Sequence, residues 1–211
     1  MLLRKLREEI VEYGLKILKS GLVEATGGNL SSIDQNTGLI AIKPSSIPYE
    51  KIRPEDVIVI NKEGKIIEGN LAPSSETPMH IFLYKKRPDI KAVIHTHAPY
   101  STVLAVINKE IPLVTQDIAI FAEDKARVAP FELPGTDNLG KIAYEYLNSS
   151  DVVLLQNHGT LAVGKSLAMA YAATWALERA AMAYCFSLLL GDISTKIPKE
   201  AARVLREKVI L

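Results

Sequence analysis

Cysteine is nearly missing from this 211-residue chain. Cys185 stands alone, so no internal disulfide can staple the fold, and a single thiol fits a reducing cytoplasm. Charge of one sign is missing as well. Lysine and arginine number 25 against 24 acidic residues, a formal net charge of +1. Without a basic or acidic field, neither nucleic acid nor an anionic membrane surface is an expected partner. No hydrophobic run is long enough for a bilayer. The apolar stretch from Ser166 to Leu190 carries Glu178 and Arg179 in its middle, which points to a core or oligomer-interface helix. The N-terminus mixes acids and bases on an amphipathic pattern, unlike a signal peptide. Repeats, low-complexity tracts and linkers are absent too. What remains is one domain over residues 1–211, long enough to bury a sizeable core.

Histidine is scarce, and its placement is therefore informative. Of four in the chain, two form His95-Thr96-His97 at the end of the apolar run Ala92-Val93-Ile94. On a strand both would point to one face, about 7 Å apart, where two imidazoles can close on one ion. An isolated His-x-His is more often a surface pair. A third, His158, follows a matching run, Val152-Val153-Leu154-Leu155-Gln156-Asn157. Two buried strands each deliver histidine at the C-terminal end, where the sheet of an α/β protein presents its site. His95, His97 and His158 are therefore candidate metal ligands. His80 falls one turn into a helix and reads as structural.

The remaining pattern predicts an α/β fold, a single domain whose central, largely antiparallel sheet is flanked by helices. Leu3, Leu6, Ile10, Tyr13 and Ile17 have helical spacing over 2–20. Hairpins are expected around 34–38 and 61–64. Thr77-Pro78 marks the N-cap and first turn of a helix ending before Pro88, and Pro99 begins another to about Ile107. Irregular strands are expected at Ile118–Phe121 and Val128–Phe131, then a helix to Leu147. The His158 strand and its hairpin partner follow, then the long apolar helix, with Trp175, Met169 and Met182 as packing residues. A charged helix over 198–208 ends the chain.

Three small-residue loops stand at strand junctions: Gly27-Gly28-Asn29, Ser45-Ser46 and Ser74-Ser75. Their backbone N–H groups and hydroxyls, if they converge, could enclose a phosphate without a lysine or arginine clamp. Each loop alone is an ordinary turn. Glu76 follows directly, placing a carboxylate beside the site. It could complement a helix dipole, ligate a metal, or act as general base.

Thr26-Gly27-Gly28-Asn29-Leu30-Ser31, Pro44-Ser45-Ser46-Ile47-Pro48-Tyr49-Glu50, Pro73-Ser74-Ser75-Glu76, His95-Thr96-His97-Ala98 and Gln156-Asn157-His158-Gly159 occur in one order. With these motifs the chain resembles the class II aldolase/adducin family, nearest its L-fuculose-1-phosphate aldolase branch. The likeness covers nearly the whole chain and weakens beyond about residue 190. It implies a zinc-dependent retro-aldol enzyme, a homotetramer with sites near subunit interfaces. It also implies that His95, His97, His158 and Glu76 hold Zn²⁺, with Mn²⁺ or Co²⁺ possible, and that Glu76 is the acid/base. The positions matching Gly28, Asn29, Ser45, Ser46, Ser74 and Ser75 would bind a sugar phosphate. Cleaving a ketose 1-phosphate, such as L-fuculose 1-phosphate, leaves charge on a dihydroxyacetone phosphate fragment, which the metal holds as an enediolate.

Two residues depart from the branch pattern. Gln116 stands where the resemblance implies an acid tyrosine supplied by a neighbouring subunit. Lys208-Val209-Ile210-Leu211 carries no tyrosine where the branch has one in its tail. Tyr49 and Tyr100 are candidate substitutes, and Asp117, Glu123 and Asp124 could line the acceptor pocket. Within the family, a pentulose-phosphate 4-epimerase or a methylthioribulose-1-phosphate dehydratase would use the same metal and loops. The epimerase branch has aspartate where Glu76 stands. An adducin-like binding module would have no use for the three histidines.

Overall fold

Strand β1 (Asn29–Ile33) lies mid-sheet because it alternates: Leu30 packs on one face, while Asn29, Ser31 and Ile33 point to the other. In the computed structural model, which describes residues 1–191 and 196–210, helix α1 (Arg4–Lys19) precedes β1, and β2 (Ile40–Ile42), β3 (Ile58–Ile60) and β4 (Ile66–Glu68) follow it. Then come α2 (Thr77–Lys86), β5 (Ala92–Thr96), α3 (Pro99–Val106), β6 (Ile111–Pro112), α4 (Gln116–Phe121), β7 (Lys125–Ala126) and β8 (Val128–Ala129). The order closes with α5 (Asp137–Leu147), β9 (Val152–Leu155), β10 (Gly159–Gly164), α6 (Leu167–Leu190) and α7 (Lys199–Ile210).

Eight strands form one sheet in the order β4-β3-β2-β1-β5-β10-β9-β8, and β6 and β7 form a separate ribbon. Within the large sheet every pair is antiparallel except β8 with β9. Both faces are covered, as an α/β architecture requires. Helices α2 and α5 bury Met79, Leu83, Leu139 and Ala143 on Val93, Val153, Leu161 and Val163. On the other face α1 and the start of α6 cover Leu30, Ala41, Ala92 and Ile94. Each Ile or Leu so buried is worth about 1.5–3 kcal/mol. No helix among the described residues is long and apolar enough to cross a membrane.

Three local expectations are corrected. Residues 118–121 belong to helix α4, because the Thr115 hydroxyl accepts the Ile118 N–H as an N-cap and Ile118, Ala119 and Phe121 pack into the core. Cap and packing override the strand preference of two isoleucines. Strand β8 stops at Ala129, since Pro130 has no N–H to continue the ladder. On α6, Trp175 is 41% exposed beneath the Arg179 guanidinium rather than packed within the core. The tail expectation falls in part on Leu211, outside the described residues.

Strand direction gathers the candidate residues. Strand β1 starts where β5 ends, with Asn29 opposite His95. Strand β10 starts there too, with Thr160 opposite Thr96, so the turn carrying His158 reaches the same edge. Gly28 makes the approach possible: at φ +66°, an added Cβ would lie 2.6 Å from the His95 carbonyl oxygen. At Gly159 a side chain would collide with the Thr96 carbonyl and the His97 ring.

Candidate active site and metal centre

His95, His97 and His158 come together, their ligand atoms within 4.8 Å of one another. The route differs from two histidines on one strand face. Strand β5 ends at Thr96, so His97 leaves the pleat and its ring swings to 4.8 Å from that of His95, centroid to centroid. The Nδ1 of His95 lies 2.8 Å from the Thr160 carbonyl. A carbonyl can only accept, so Nδ1 carries the proton and Nε2 presents a bare lone pair to the site. That Nε2 is 2.9 Å from Nε2 of His97 and 3.3 Å from Oε2 of Glu76. Nε2 of His158 is 3.1 Å from Oε1 of Glu76. A tetrahedral zinc with bonds of roughly 2.0–2.1 Å would hold its ligand atoms about 3.3 Å apart, so this set fits one ion. The buried Nδ1 of His158 has no hydrogen-bond partner among the described residues, so the contact that orients the ring is the one from Nε2 to Glu76.

The electrostatics favour the same use. Burial pushes His95 down to about 3 and lowers His97 as well, keeping both imidazoles neutral with lone pairs available. For Glu76, burial would raise the carboxyl. Positive charge at His95 and His158, present whenever those imidazoles are protonated, and the Asn29 amide N–H outweigh it and hold Glu76 down to about 2. The residue sits at the N-cap of α2, one position before the expected cap at Thr77, yet makes no cap bond: its carboxylate turns into the site. Thr77 instead donates its hydroxyl to the Ser74 carbonyl at 2.6 Å.

A cavity of about 240 Å³ opens beside this cluster, lined by the three small-residue loops together with Glu76, His95 and His97. Gly28, Asn29, Ser45, Ser46, Ser74 and Ser75 all border it. Their backbone donors are less available than expected. A bridge between Pro44 and Pro73 laces two loops, so the Ser45 N–H bonds Ala72 and the Ser74 N–H bonds Lys43. The Gly27 N–H goes to Glu24. Hydroxyl groups and a cation stand among the lining residues. Lys43, passed over in the sequence, lines the cavity at 2% exposure, its Nζ bonded to the carbonyls of Pro44 and Thr26 at 3.2 and 3.4 Å. Burial lowers it to about 8. A lysine heading a Ser-rich loop was the available signal.

Other candidates are settled by their contacts. His80 is fully buried, its ring nitrogens on Ser31 and Asn29, and burial lowers it to about 4. Tyr49 donates its hydroxyl to the Gly27 carbonyl at 3.1 Å, and burial pushes its ionisation far up, so it serves the loop and not as an acid. Tyr100 packs on Phe186. Gln116, Asp117, Glu123 and Asp124 do not border the cavity in their own chain.

An α/β sheet with three converging histidines and a carboxylate at one end is the framework of a metal-assisted enzyme. The chain belongs to the family described as "Class II Aldolase and Adducin N-terminal domain", matched over residues 8–185. It is an enzyme of the class II aldolases, carbon–carbon lyases that depend on a metal. It is 43% identical to a 5-deoxy-D-ribulose 1-phosphate aldolase of Bacillus thuringiensis serovar kurstaki, over 91% of this chain and 90% of that protein. It is 33% identical to L-fuculose phosphate aldolase of Escherichia coli K12, over 97% and 94%. A solved L-fuculose 1-phosphate aldolase superposes with a TM-score of 0.93 at 35% identity, covering 98% of this chain and 97% of the other.

Proposed function

We propose that this protein is a divalent-metal aldolase that reversibly splits a ketose 1-phosphate into dihydroxyacetone phosphate and a short aldehyde. One observation carries the reading: the Glu76 carboxylate and the buried cation Lys43 border the same cavity of about 240 Å³. A base and a phosphate anchor thus share one opening. His95, His97, His158 and Glu76 would hold the metal, zinc first by its three-imidazole set, with Mn²⁺ or Co²⁺ as substitutes. Once bound, the ion supplies Lewis acidity to the charge that develops as the C3–C4 bond breaks.

The chain's own residues do the rest. Lys43 and the hydroxyls of Ser45, Ser46, Ser74 and Ser75, with Gly28 and Asn29, bind the phosphate. They orient C3 through the substrate's non-reacting end. As the bond breaks, its electron pair stays on C3, and the C4 hydroxyl becomes the aldehyde by releasing its proton to water. Glu76 takes up one proton from water and delivers it to C3; in the synthetic direction it removes that proton and returns it to water. The two relatives are named for 5-deoxy-D-ribulose 1-phosphate and L-fuculose phosphate, both ketose phosphates that end in a methyl group. A methyl-ended 1-phosphorylated ketose is therefore the substrate class we assign. Incubation with 5-deoxyribulose 1-phosphate and L-fuculose 1-phosphate should release dihydroxyacetone phosphate, stop with a chelator and resume with Zn²⁺. Release untouched by the chelator would overturn the metal; none from either ketose would overturn the substrate class.

We infer further that the protein works in the cytoplasm as a homo-oligomer, a tetramer. Trp175, Phe186, Leu189 and Leu190 are exposed along α6, an apolar face suited to a second copy. A monomer at micromolar concentration in a sizing experiment would contradict this.

A further inference from the structure

Beneath the site, ending on Asn29 and Glu76, runs a line of buried polar groups of which Tyr84, Ser31 and His80 have no part in the proposed chemistry. The Tyr84 hydroxyl is 2.8 Å from Oγ of Ser31, which is 2.7 Å from Nδ1 of His80. Nε2 of His80 is 2.6 Å from Oδ1 of Asn29, and Nδ2 of Asn29 is 3.4 Å from Oε2 of Glu76. Tyr84 and His80 share one face of α2, four residues apart, and Ser31 and Asn29 share one face of β1. All five residues are buried.

Donor chemistry gives this line a single direction. The Glu76 carboxylate only accepts, so Asn29 must turn its amide N–H toward it. That leaves Oδ1 of Asn29, also only an acceptor, facing His80, whose Nε2 must then carry the proton. In a neutral imidazole Nδ1 is then bare and accepts from the Ser31 hydroxyl. Ser31 in turn accepts from Tyr84. A reversed line would set the Asn29 carbonyl against a carboxylate.

We propose that His80 is a positioning residue: through its Nε2–H, fixed by Ser31 and Tyr84, it holds the Asn29 amide turned toward Glu76 and so fixes where that carboxylate stands. This rests on the reading of Glu76 as the acid/base for its consequence in turnover, but not for its geometry. Glu76 has two further neighbours, His95 and His158, which would be occupied by a metal. Asn29 is the contact that can hold the carboxylate in register while a proton moves.

Two measurements test it on the metal-loaded enzyme. Imidazole nitrogen NMR should find His80 as the Nε2–H tautomer; an Nδ1–H tautomer would overturn the relay whatever Glu76 does. In kinetics, His80→Gln keeps an N–H near the Nε2 position and should hold kcat within about threefold. His80→Leu should lose kcat roughly tenfold or more, with KM and metal content within about twofold. Equal losses in both variants would reduce His80 to packing. Ser31→Ala removes one atom and is the safer change for folding: kcat should fall by about two- to fivefold at constant KM. An unchanged kcat there would sink the relay. If Glu76→Gln exchanges the C3 proton of dihydroxyacetone phosphate as fast as the unmutated enzyme, the base is another residue. The tautomer result still judges the relay.

Discussion

His95 and the strand that bears it are held on both sides, β5 pairing with β1 and β10. The Ser45–Ser46 and Ser74–Ser75 loops meet in one isolated bridge, Pro44 with Pro73, made of two hydrogen bonds. The same cavity thus has a rigid wall and a soft one. On the rigid wall, side chains present lone pairs whose direction the backbone dictates, as the Thr160 carbonyl does for His95. On the soft wall the Ser45 and Ser74 N–H groups are spent across the bridge, and short hydroxyls beside Lys43 border the opening. Ligands to a metal tolerate little displacement, whereas a phosphate with three oxygens can be met by several donors at once. Loss of one group should therefore be nearly total on the first wall and graded on the second.

The sharpest break is His95→Ala. Removing one imidazole opens the ligand set and takes away a neighbour of Glu76, so cleavage should fall at least ~1,000-fold, about 4 kcal/mol of transition-state stabilisation. Metal analysis should show a depleted protein while circular dichroism shows the fold kept. Retained metal with full turnover would remove His95 from the set. Next in size is Glu76→Gln, which keeps the shape but cannot take a proton. Turnover should drop by roughly a hundredfold with metal retained and binding of a dihydroxyacetone phosphate analogue kept. Exchange of the C3 proton should fall in parallel.

The rigid wall was legible in the sequence because residue type and position at a strand end carry it, although His97 joins by leaving the pleat and not by period-two spacing. His95 after Ala92-Val93-Ile94 and His158 after Val152–Leu155 mark two strand ends, and a pleated chain has few ways to place them. The hairpins and long helices were legible for the same reason. The soft wall was not. Nothing local shows that the Ser45 and Ser74 N–H groups pair across the Pro44–Pro73 bridge, since residues 43–46 meet 72–75 only in the folded chain. Lys43 reads as a surface residue until β2 carries it under Tyr49, whose ring lies 4.7 Å from its ammonium. Helix α4 was hidden likewise, its isoleucines reading as strand until the Thr115 cap and core contacts are seen.

Lys43→Met tests whether the soft wall needs its cation. KM should rise roughly tenfold with kcat little changed, since the phosphate end does not react. For the unmutated enzyme, KM should also climb as pH passes about 8, where Lys43 loses its charge. Stability should move the opposite way. A folded-state value of about 8 against an ordinary lysine means that the unfolded chain binds the proton more readily. The folding cost is therefore complete below about 8 and fades as pH rises toward the unfolded value. At neutral pH, Lys43→Met should then raise the Tm of the ligand-free protein while weakening substrate. A variant that lowers Tm and leaves KM alone would make Lys43 a structural cation held by the Thr26 and Pro44 carbonyls.

The smallest effect is expected at Ser46, and it separates hydroxyl from backbone on the soft wall. Ser46 has φ +58°, in the left-handed region, which costs a non-glycine residue roughly 1–2 kcal/mol. Glycine would relieve that strain but give back about 0.5–1 kcal/mol in unfolded-chain entropy, so Ser46→Gly should shift stability by no more than about 1.5 kcal/mol, upward if at all. The side chain reaches its neighbour, Oγ to Oγ 3.3 Å from Ser45, and both border the cavity. If the hydroxyl is the reason that a serine is kept in a conformation better suited to glycine, Ser46→Gly should raise KM by about two- to fivefold at constant kcat. Ser45→Ala should do the same, and the double variant should cost less than the product of the two, because the hydroxyls are within reach of one another. A Tm gain with KM untouched would mean that the Ser46 hydroxyl does not touch the phosphate and that the working part of the soft wall is Lys43 and the Ser74–Ser75 loop.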